Sequence, residues 1–472
     1  MSKANNAIIE PIRTSLNAFE IFLLFKDEPY CFFLDSGMRQ QKLGLYSFIG
    51  GRPFLLFKSK RQQVQVFQGT RRTDLRGNPL DLLREYLRRY QVMNPSSLPF
   101  VGGAVGYFGY DLNQQIERLP SISQDDVGIP DCCLGFYDWV IVYDHRENRV
   151  YAASTGLPET NEAKAREKAV EKINELRLII ESASKEVKLP APPSSETLLR
   201  SNFTKEGFCR AVQRAIDYIY AGDIYQVNLS QRFAGEFAGD PVGLYRHLRD
   251  INPAPFAAYL DFGEAVVVSS SPERFLKVTN GVAETRPIKG TRPRGKTPEE
   301  DRTLREELVN SVKDRAELVM IVDLERNDLG RVCKPGSVEV TELFALEEYA
   351  TVYHLVATVQ GKLEENKDVI DLLKASFPGG SITGAPKIRS MEIIEELEPT
   401  KRNIYTGSIG YLGFDGNADL NIAIRTITIK DNQAYLQVGG GIVADSVPEK
   451  EYQETMDKAR ALIKALKGKI LW

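Results

Sequence analysis

The sequence predicts an α/β (α+β) chain of layered antiparallel β-sheets flanked by helices, with an intertwined β-rich N-terminal domain. Three observations carry this. Runs rich in aromatic and β-branched residues recur along all 472 residues. Several are joined by tight turns such as "FDGN" and "KDNQ", which suit antiparallel pairing. Helical stretches alternate with them, and one Pro/Ser-rich stretch, "KEVKLPAPPSSETLLRS", has no periodicity and reads as a linker.

In chain order, "FEIFLLF", "YCFFLDS" and "FLLFKSKRQQVQVFQG" read as strands, the last by its alternation. "PLDLLREYLRRYQV" has helical apolar spacing, and "GFYDWVIVYDHRENRVYAAS" reads as a hairpin turning at "HRENR". A charged helix over about 159–185 closes this half, which places one domain at 1–190 and a second at 195–472. The second half opens on a helix with Thr204 as N-cap and Gly222 as stop. Phe208, Ala211, Val212, Ala215, Ile216 and Ile219 fall on its apolar face. Strands come next at "YQVNLSQRF", "EAVVVSSS", "GYLGFDGNADLNIAIRTITI" and "QAYLQVGGGIV", with helices near 298–321, 386–397 and 449–467.

Composition excludes several classes. Hydrophobic residues make up 42% and charged residues 26%, and the net charge of −3 does not suit a nucleic-acid binder. No apolar run approaches a membrane span and the first residues carry no signal core, so a cytoplasmic protein is expected. The five cysteines are widely spaced and odd in number, which fits reduced thiols better than a disulfide framework or a zinc site.

Four features point to chemistry. Arg286, Lys289, Arg292, Arg294 and Lys296 crowd five cations into eleven residues framed by Pro and Gly. Lys289, between an isoleucine and a glycine, is expected to have its ammonium form disfavoured by desolvation and by cationic neighbours, which frees the amine as a nucleophile. The plain alternative is a surface lysine on a turn. Asp314 with Glu317, and Glu451 with Glu454, stand three apart on helices, a spacing that puts each pair on one face. Two such faces opposed would suit Mg2+, though each pair alone also reads as a solvated surface, and spacing does not bring them together. "FPGGSITGAPKIRS" lacks the Gly-Lys-Ser/Thr of a phosphate loop and leaves a Gly-rich turn into a helix, with Pro386 near its start. His354 lies in an apolar stretch, where burial is the simplest reading. His145 and Glu147 near Cys132 and Cys133 lack the glycines of a nucleophile elbow, so a cysteine amidotransferase is not supported.

Taken together, "GDIYQVNLSQRF", "SPERF", "TRPIKGTRPRG", "KDRAELVMIVDLERNDLGRV", "FPGGSITGAPK", "GSIGYLGFDGN" and "GGGIVADSVPEKEYQET" resemble the chorismate-utilising enzymes. The likeness continues more weakly through "GGAVGYFGYDL" and "GFYDWVIVYDH". Within the family the chain resembles the aminodeoxychorismate synthase component I branch most, with the anthranilate synthase component I branch second. The former carries lysine where the latter carries alanine in "PIAGT", and here that residue is Lys289.

The resemblance implies a covalent route. The Lys289 amine attacks C2 of chorismate and expels the 4-hydroxyl, and ammonia then adds at C4 and displaces the lysine. It implies Glu273 as the general acid, Glu317 and Glu454 as Mg2+ ligands, and Asp314 and Glu451 as their outer shell. Arg425 and Tyr405 would hold a carboxylate, and Gly290, Thr291, Gly439, Gly440 and Gly441 would line the substrate site, with His354 near the ring. Gly-Gly-Gly stands where anthranilate synthases have Gly-Ala-Gly. The remaining cations of 286–296 are expected to shape the field for a dianion and to steady the loop. A tryptophan pocket is implied at Ser36, Leu43, Gly44, Leu45, Tyr46, Pro255, Phe256 and Ala257, although Phe-Leu-Asp-Ser replaces the usual Leu-Leu-Glu-Ser and core packing is the alternative. No glutaminase elbow is present, so a glutamine amidotransferase subunit would supply ammonia in a heterodimer. The competing expectations are an anthranilate synthase, a non-catalytic regulatory module, or hydroxyl transfer as in isochorismate synthases.

Overall fold

A computed structural model describes residues 5–38, 43–183, 187–348 and 352–471. Among these, two large sheets of 12 and 13 strands make up the body of the molecule. Each takes strands from both sides of residue 190. In the first, Gly103–Phe108 pairs antiparallel with Ser408–Gly413. In the second, Phe32–Asp35 pairs antiparallel with Phe256–Asp261. The inner faces are packed with large side chains, including Phe32, Phe48, Phe100, Tyr137 and Tyr411 in the layer between the sheets. Burial of that much aromatic surface is the main force holding the sheets together.

The predicted antiparallel hairpins form, and so do most helices. Thr204 caps Lys205–Tyr220 by accepting from the Gly207 amide, and Phe208, Ala211, Val212, Ala215 and Ile216 are buried as expected. Three expectations need correction. "FEIFLLF" is a helix, Ala18–Phe25. Asn17 accepts from the Phe19 and Glu20 amides while Glu20 accepts from the Asn17 amide, and this capping box decides for helix in a run whose periodicity is silent. The end of the expected linker is a strand, Thr197–Ser201, clamped between Gln226–Glu236 and Gly468–Ile470. Residues 184–186, where the charged helix was expected to run into that linker, lie outside the described residues; the helix itself spans Glu162–Ser182.

The third correction matters for the site. The helix expected near 298–321 is two helices, Pro298–Asn310 and Val312–Gly330. Ser311 ends the first and caps the second, its hydroxyl accepting from the Asp314 amide at 3.2 Å. The break redirects the chain so that Asp314 and Glu317 fall in the first turns of a helix packed on strand Val352–Lys362 through Leu318 and Val322.

Candidate active site

The strand Ile288–Pro293 carries Lys289 and runs antiparallel to Val352–Lys362, with Lys289 opposite Leu355 and Thr291 opposite His354. Between those pairs the register slips at Gly290, whose φ is +75°. A Cβ there would stand 2.8 Å from Leu308 and 2.9 Å from Asp314, so glycine is required by conformation and by space. The bulge brings the strand against the Asp314–Glu317 helix.

Lys289 is part-buried, not a surface lysine on a turn, and its Nζ lies 3.4 Å from the Ser381 carbonyl oxygen. The Ser381 hydroxyl donates to Glu273 Oε1 at 2.8 Å. One residue of the Gly-rich loop thus touches both proposed reacting groups. The loop's following helix, Lys387–Leu397, does not offer an open anion site, because Lys387 binds Asp328 at 2.6 Å. Pro386 is the residue before that helix rather than its first.

Burial lowers the pKa of Lys289, and Lys458 adds to this, while Glu317, Glu273 and Glu454 oppose it. The expected cause was half right. The arginines of 286–296 do not press on the amine, because each is paired elsewhere: Arg286 with Glu342 and Glu347, Arg292 with Glu307 and Asp314, Arg294 with Asp301. These pairs brace the loop. Glu273, 6% exposed, is raised by burial, against Ser381, Lys289 and the Ile288 amide. His354, 9% exposed, is pushed down to about 4 by burial, so it is neutral at pH 7; its Nδ1 lies 2.9 Å from the Thr291 hydroxyl.

Glu317 and Glu454 lie near enough for one charge to act on the other. Glu317 is raised by burial and by the charges of Asp314 and Glu454, against Lys289 and Lys313. Glu451 is raised by burial and by Glu454, although Ser446 donates to it at 2.7 Å. Burial also acts to raise Glu454, but Lys458, at 2.6 Å, outweighs it and the net shift is downward. Gly440 lies against this cluster: a Cβ on it would be 3.3 Å from Glu454 Oε1 and 3.4 Å from Glu451 Oε2. Glu451 Oε2 is buried with no hydrogen-bond partner. Among the described residues no group of three or more His, Cys, Asp or Glu side chains is close enough to hold a metal ion alone. An orphaned carboxylate oxygen within an all-oxygen donor set fits a hard cation held by few protein ligands and completed by water and substrate.

On the far side, Arg425 adopts φ +52° and donates to the Lys458 carbonyl at 2.8 Å. No carboxylate of the described residues lies within ion-pair distance of it. Tyr405 is pushed up to about 12 by burial, with Arg402 and Arg425 opposing. Its hydroxyl is 3.0 Å from where a Gly439 Cβ would stand. A Cβ on Gly441 would be 2.3 Å from Gln226 Nε2, so these glycines keep the strand close to its neighbours. Sequence reasoning missed Ser381 and Lys458. The latter had a signal, since it lies four residues after Glu454 on a predicted helix. Ser381 had none beyond its place in a Gly-rich loop.

The eight residues expected at a second pocket do line one cavity, of about 130 Å3, between the sheets. Ser36, Leu43, Gly44, Leu45 and Tyr46 come from one side and Pro255, Phe256 and Ala257 from the other, with Arg274 and Tyr411 completing the wall. The Ser36 hydroxyl donates to the Tyr46 carbonyl at 2.5 Å. No helix of the described residues is long and apolar enough to cross a membrane.

Known proteins resemble this chain over nearly its whole length. The family described as chorismate binding enzyme matches residues 29–464. Anthranilate synthase component 1 of Acetivibrio thermocellus is 44% identical, over 94% of this chain and 92% of the relative. Aminodeoxychorismate synthase component 1 of Escherichia coli is 42% identical, over 93% of each. The crystal structure of anthranilate synthase component I from Streptococcus pneumoniae superposes with a TM-score of 0.78 at 35% identity, covering 91% of this chain and 94% of that one. The menaquinone-specific isochorismate synthase of Escherichia coli shares the fold, with a TM-score of 0.73 at 20% identity, over 99% of this chain and 96% of that one. The chain therefore belongs to the chorismate binding enzyme family.

Proposed function

We propose that this chain is the chorismate-aminating component of an aminodeoxychorismate synthase and makes 4-amino-4-deoxychorismate through a covalent Lys289 adduct. The observation that carries the reading is the linkage Lys289–Ser381–Glu273, a desolvated amine and a desolvated carboxyl held on one serine. The lowered pKa of Lys289 favours the free amine, and the raised pKa of Glu273 favours the protonated acid. The amine forms a bond to C2 as the 4-hydroxyl leaves, protonated by Glu273 as water. Ammonia then bonds to C4, the C2–nitrogen bond breaks, and the proton shed by the new amine restores Glu273. Splitting one substitution into two in this way is nucleophilic catalysis.

Arg425 and Tyr405 would take one substrate carboxylate. Glu317 and Glu454 would hold Mg2+, with Asp314 and Glu451 behind them, and the bound ion would neutralise the other carboxylate. In this reading ammonia comes from another subunit or from solution. Burial raises all five thiols, Cys31 and Cys133 to about 12 and Cys333 to about 11, so none is an activated nucleophile. A glutamine amidotransferase partner would supply the ammonia, in keeping with the pairing implied by the "component 1" names of the relatives. The cavity at Ser36 suits a bound amino acid such as tryptophan.

A second reading, anthranilate synthase component 1, is favoured by the relative from Acetivibrio thermocellus. The deciding experiment incubates the chain with chorismate, Mg2+ and ammonium, and identifies products by chromatography and mass, with and without an aminodeoxychorismate lyase. The proposal expects 4-aminobenzoate only with the lyase. Anthranilate and pyruvate without it would establish the second reading. Lys289→Ala is expected to lose C4 amination by at least about 100-fold.

A further inference from the structure

Beyond the helix Lys387–Leu397 stands Arg402, 3% exposed, with no part in the chemistry proposed above. Every N–H of its guanidinium has an acceptor. Nε donates to Glu398 Oε2 at 2.9 Å and Nη2 to Glu398 Oε1 at 2.6 Å. The other Nη2 proton goes to the Asn228 carbonyl at 2.6 Å. Nη1 donates to the Ile382 carbonyl and to the Thr406 hydroxyl, each at 3.2 Å.

A buried guanidinium must have its carboxylate and its remaining protons satisfied, and any polar neighbours would serve. Here the neighbours stand at both ends of the site. Ile382 follows Ser381, whose hydroxyl holds Glu273 at 2.8 Å and whose carbonyl lies 3.4 Å from Lys289 Nζ. Thr406 follows Tyr405, and its hydroxyl, while accepting from Arg402, donates to the Tyr405 carbonyl at 2.6 Å. The guanidinium also lies 5.6 Å from the centre of the Tyr405 ring. Asn228 belongs to the strand Gln226–Glu236, and its amide donates to the Thr383 carbonyl at 2.8 Å, so this strand grips the Ser381 loop as well. Glu398 is tied to the same strand through the Ser230 amide at 2.8 Å and the Ser230 hydroxyl at 2.7 Å. Arg402 is thus rooted in the sheet and reaches from there to two separate segments of the site.

We infer that Arg402 is a positioning residue that fixes the spacing between the two ends of the chorismate site, the Ser381 end where bonds are exchanged and the Tyr405 end where a carboxylate is held. This rests on the proposed roles of Ser381, Glu273 and Tyr405. Lysine cannot take its place, because an ammonium has three donors and no planar fork.

The test is a pair of double-mutant cycles on the rate of chorismate consumption, which does not depend on the product formed. Arg402→Lys is combined with Ser381→Ala and with Tyr405→Phe, and the melting temperature of each variant is measured. Arg402→Lys alone is expected to lower kcat and to raise the KM for chorismate, each by at least about 10-fold. With Ser381→Ala, the combined loss of kcat is expected to fall short of the product of the single losses by at least about 5-fold; with Tyr405→Phe, the combined rise in KM falls short by a similar factor. An arginine that only stabilises the fold would lower the melting temperature and leave both cycles multiplicative. A multiplicative result in either cycle overturns the inference.

The single variants separate this inference from the reading beneath it. If Ser381→Ala or Tyr405→Phe keeps the parent kcat and KM, that end of the proposed site falls and the inference falls with it. If both are impaired and either cycle is multiplicative, only the inference falls. Thr406→Val keeps the Arg402–Glu398 pair and removes only the tie to the Tyr405 carbonyl, so it serves where Arg402→Lys does not fold. It is expected to raise the KM for chorismate about 3- to 10-fold with kcat within about 2-fold of the parent, and an unchanged KM overturns the inference.

Discussion

The Ser381 hydroxyl donates to Glu273 Oε1 at 2.8 Å while the Ser381 carbonyl faces Lys289 Nζ. The bond to the hydroxyl favours the charged form of the acid and works against burial. In Ser381→Ala that opposition is gone, so the pKa of Glu273 rises and the alkaline limb of kcat/KM moves to higher pH. The rate on the plateau is expected to fall about 10-fold, because the acid is less well oriented. A limb that stays in place or moves to lower pH would show that Ser381 does not act on Glu273.

The proposed function makes Glu317 a ligand of Mg2+, which the metal dependence of activity tests. In Glu317→Gln the Mg2+ concentration for half-maximal activity is expected to rise about 10- to 100-fold. Isothermal titration of Mg2+ into the protein without substrate checks the same loss independently of turnover. An unchanged Mg2+ requirement would remove Glu317 from the ligand set.

His354 gives a stability signature. Its folded pKa, about 4, lies below the ordinary value of 6.5, so the unfolded chain takes up the proton first as pH falls. Its contribution is fully present above pH 6.5 and is lost between pH 6.5 and 4, amounting to roughly 3 kcal/mol at most. Denaturant unfolding at pH 7 and pH 4.5 should show a smaller acid loss in His354→Gln than in the parent. Equal losses would mean that another group governs that window.

Gly440 stands 3.3–3.4 Å, by its missing Cβ, from two carboxylate oxygens of the Glu451–Glu454 turn. Gly440→Ala should therefore fold, since its backbone needs no left-handed φ, and should raise the KM for chorismate about 3- to 10-fold by displacing the carboxylates. A KM within error of the parent would mean the turn yields without effect on binding.

How much of the fold and site was legible in the sequence depends on what each feature needed. The helix from Lys205 was legible because its cap, periodic face and terminal glycine are all local. "FEIFLLF" misled because both faces are apolar, and only Asn17 with Glu20 held the deciding signal. The partners of the cation crowd at 286–296, Glu342, Glu347, Glu307 and Asp301, come from other segments and so could not be named from the sequence. The spacing of Asp314–Glu317 and Glu451–Glu454 showed two acidic faces but could not place one relative to the other, since that depends on how distant helices pack.

The pairing of Tyr107 with Ile409 in one sheet has a consequence during synthesis. The two residues leave the ribosome about 300 positions apart, which at ordinary elongation rates is a delay of roughly 15–60 s. Through that interval the Gly103–Phe108 strand lacks the neighbour that will cover its edge. The nascent chain thus carries an open β-edge for tens of seconds, and that makes it a natural client for chaperones that shield such edges until the rest of the polypeptide arrives.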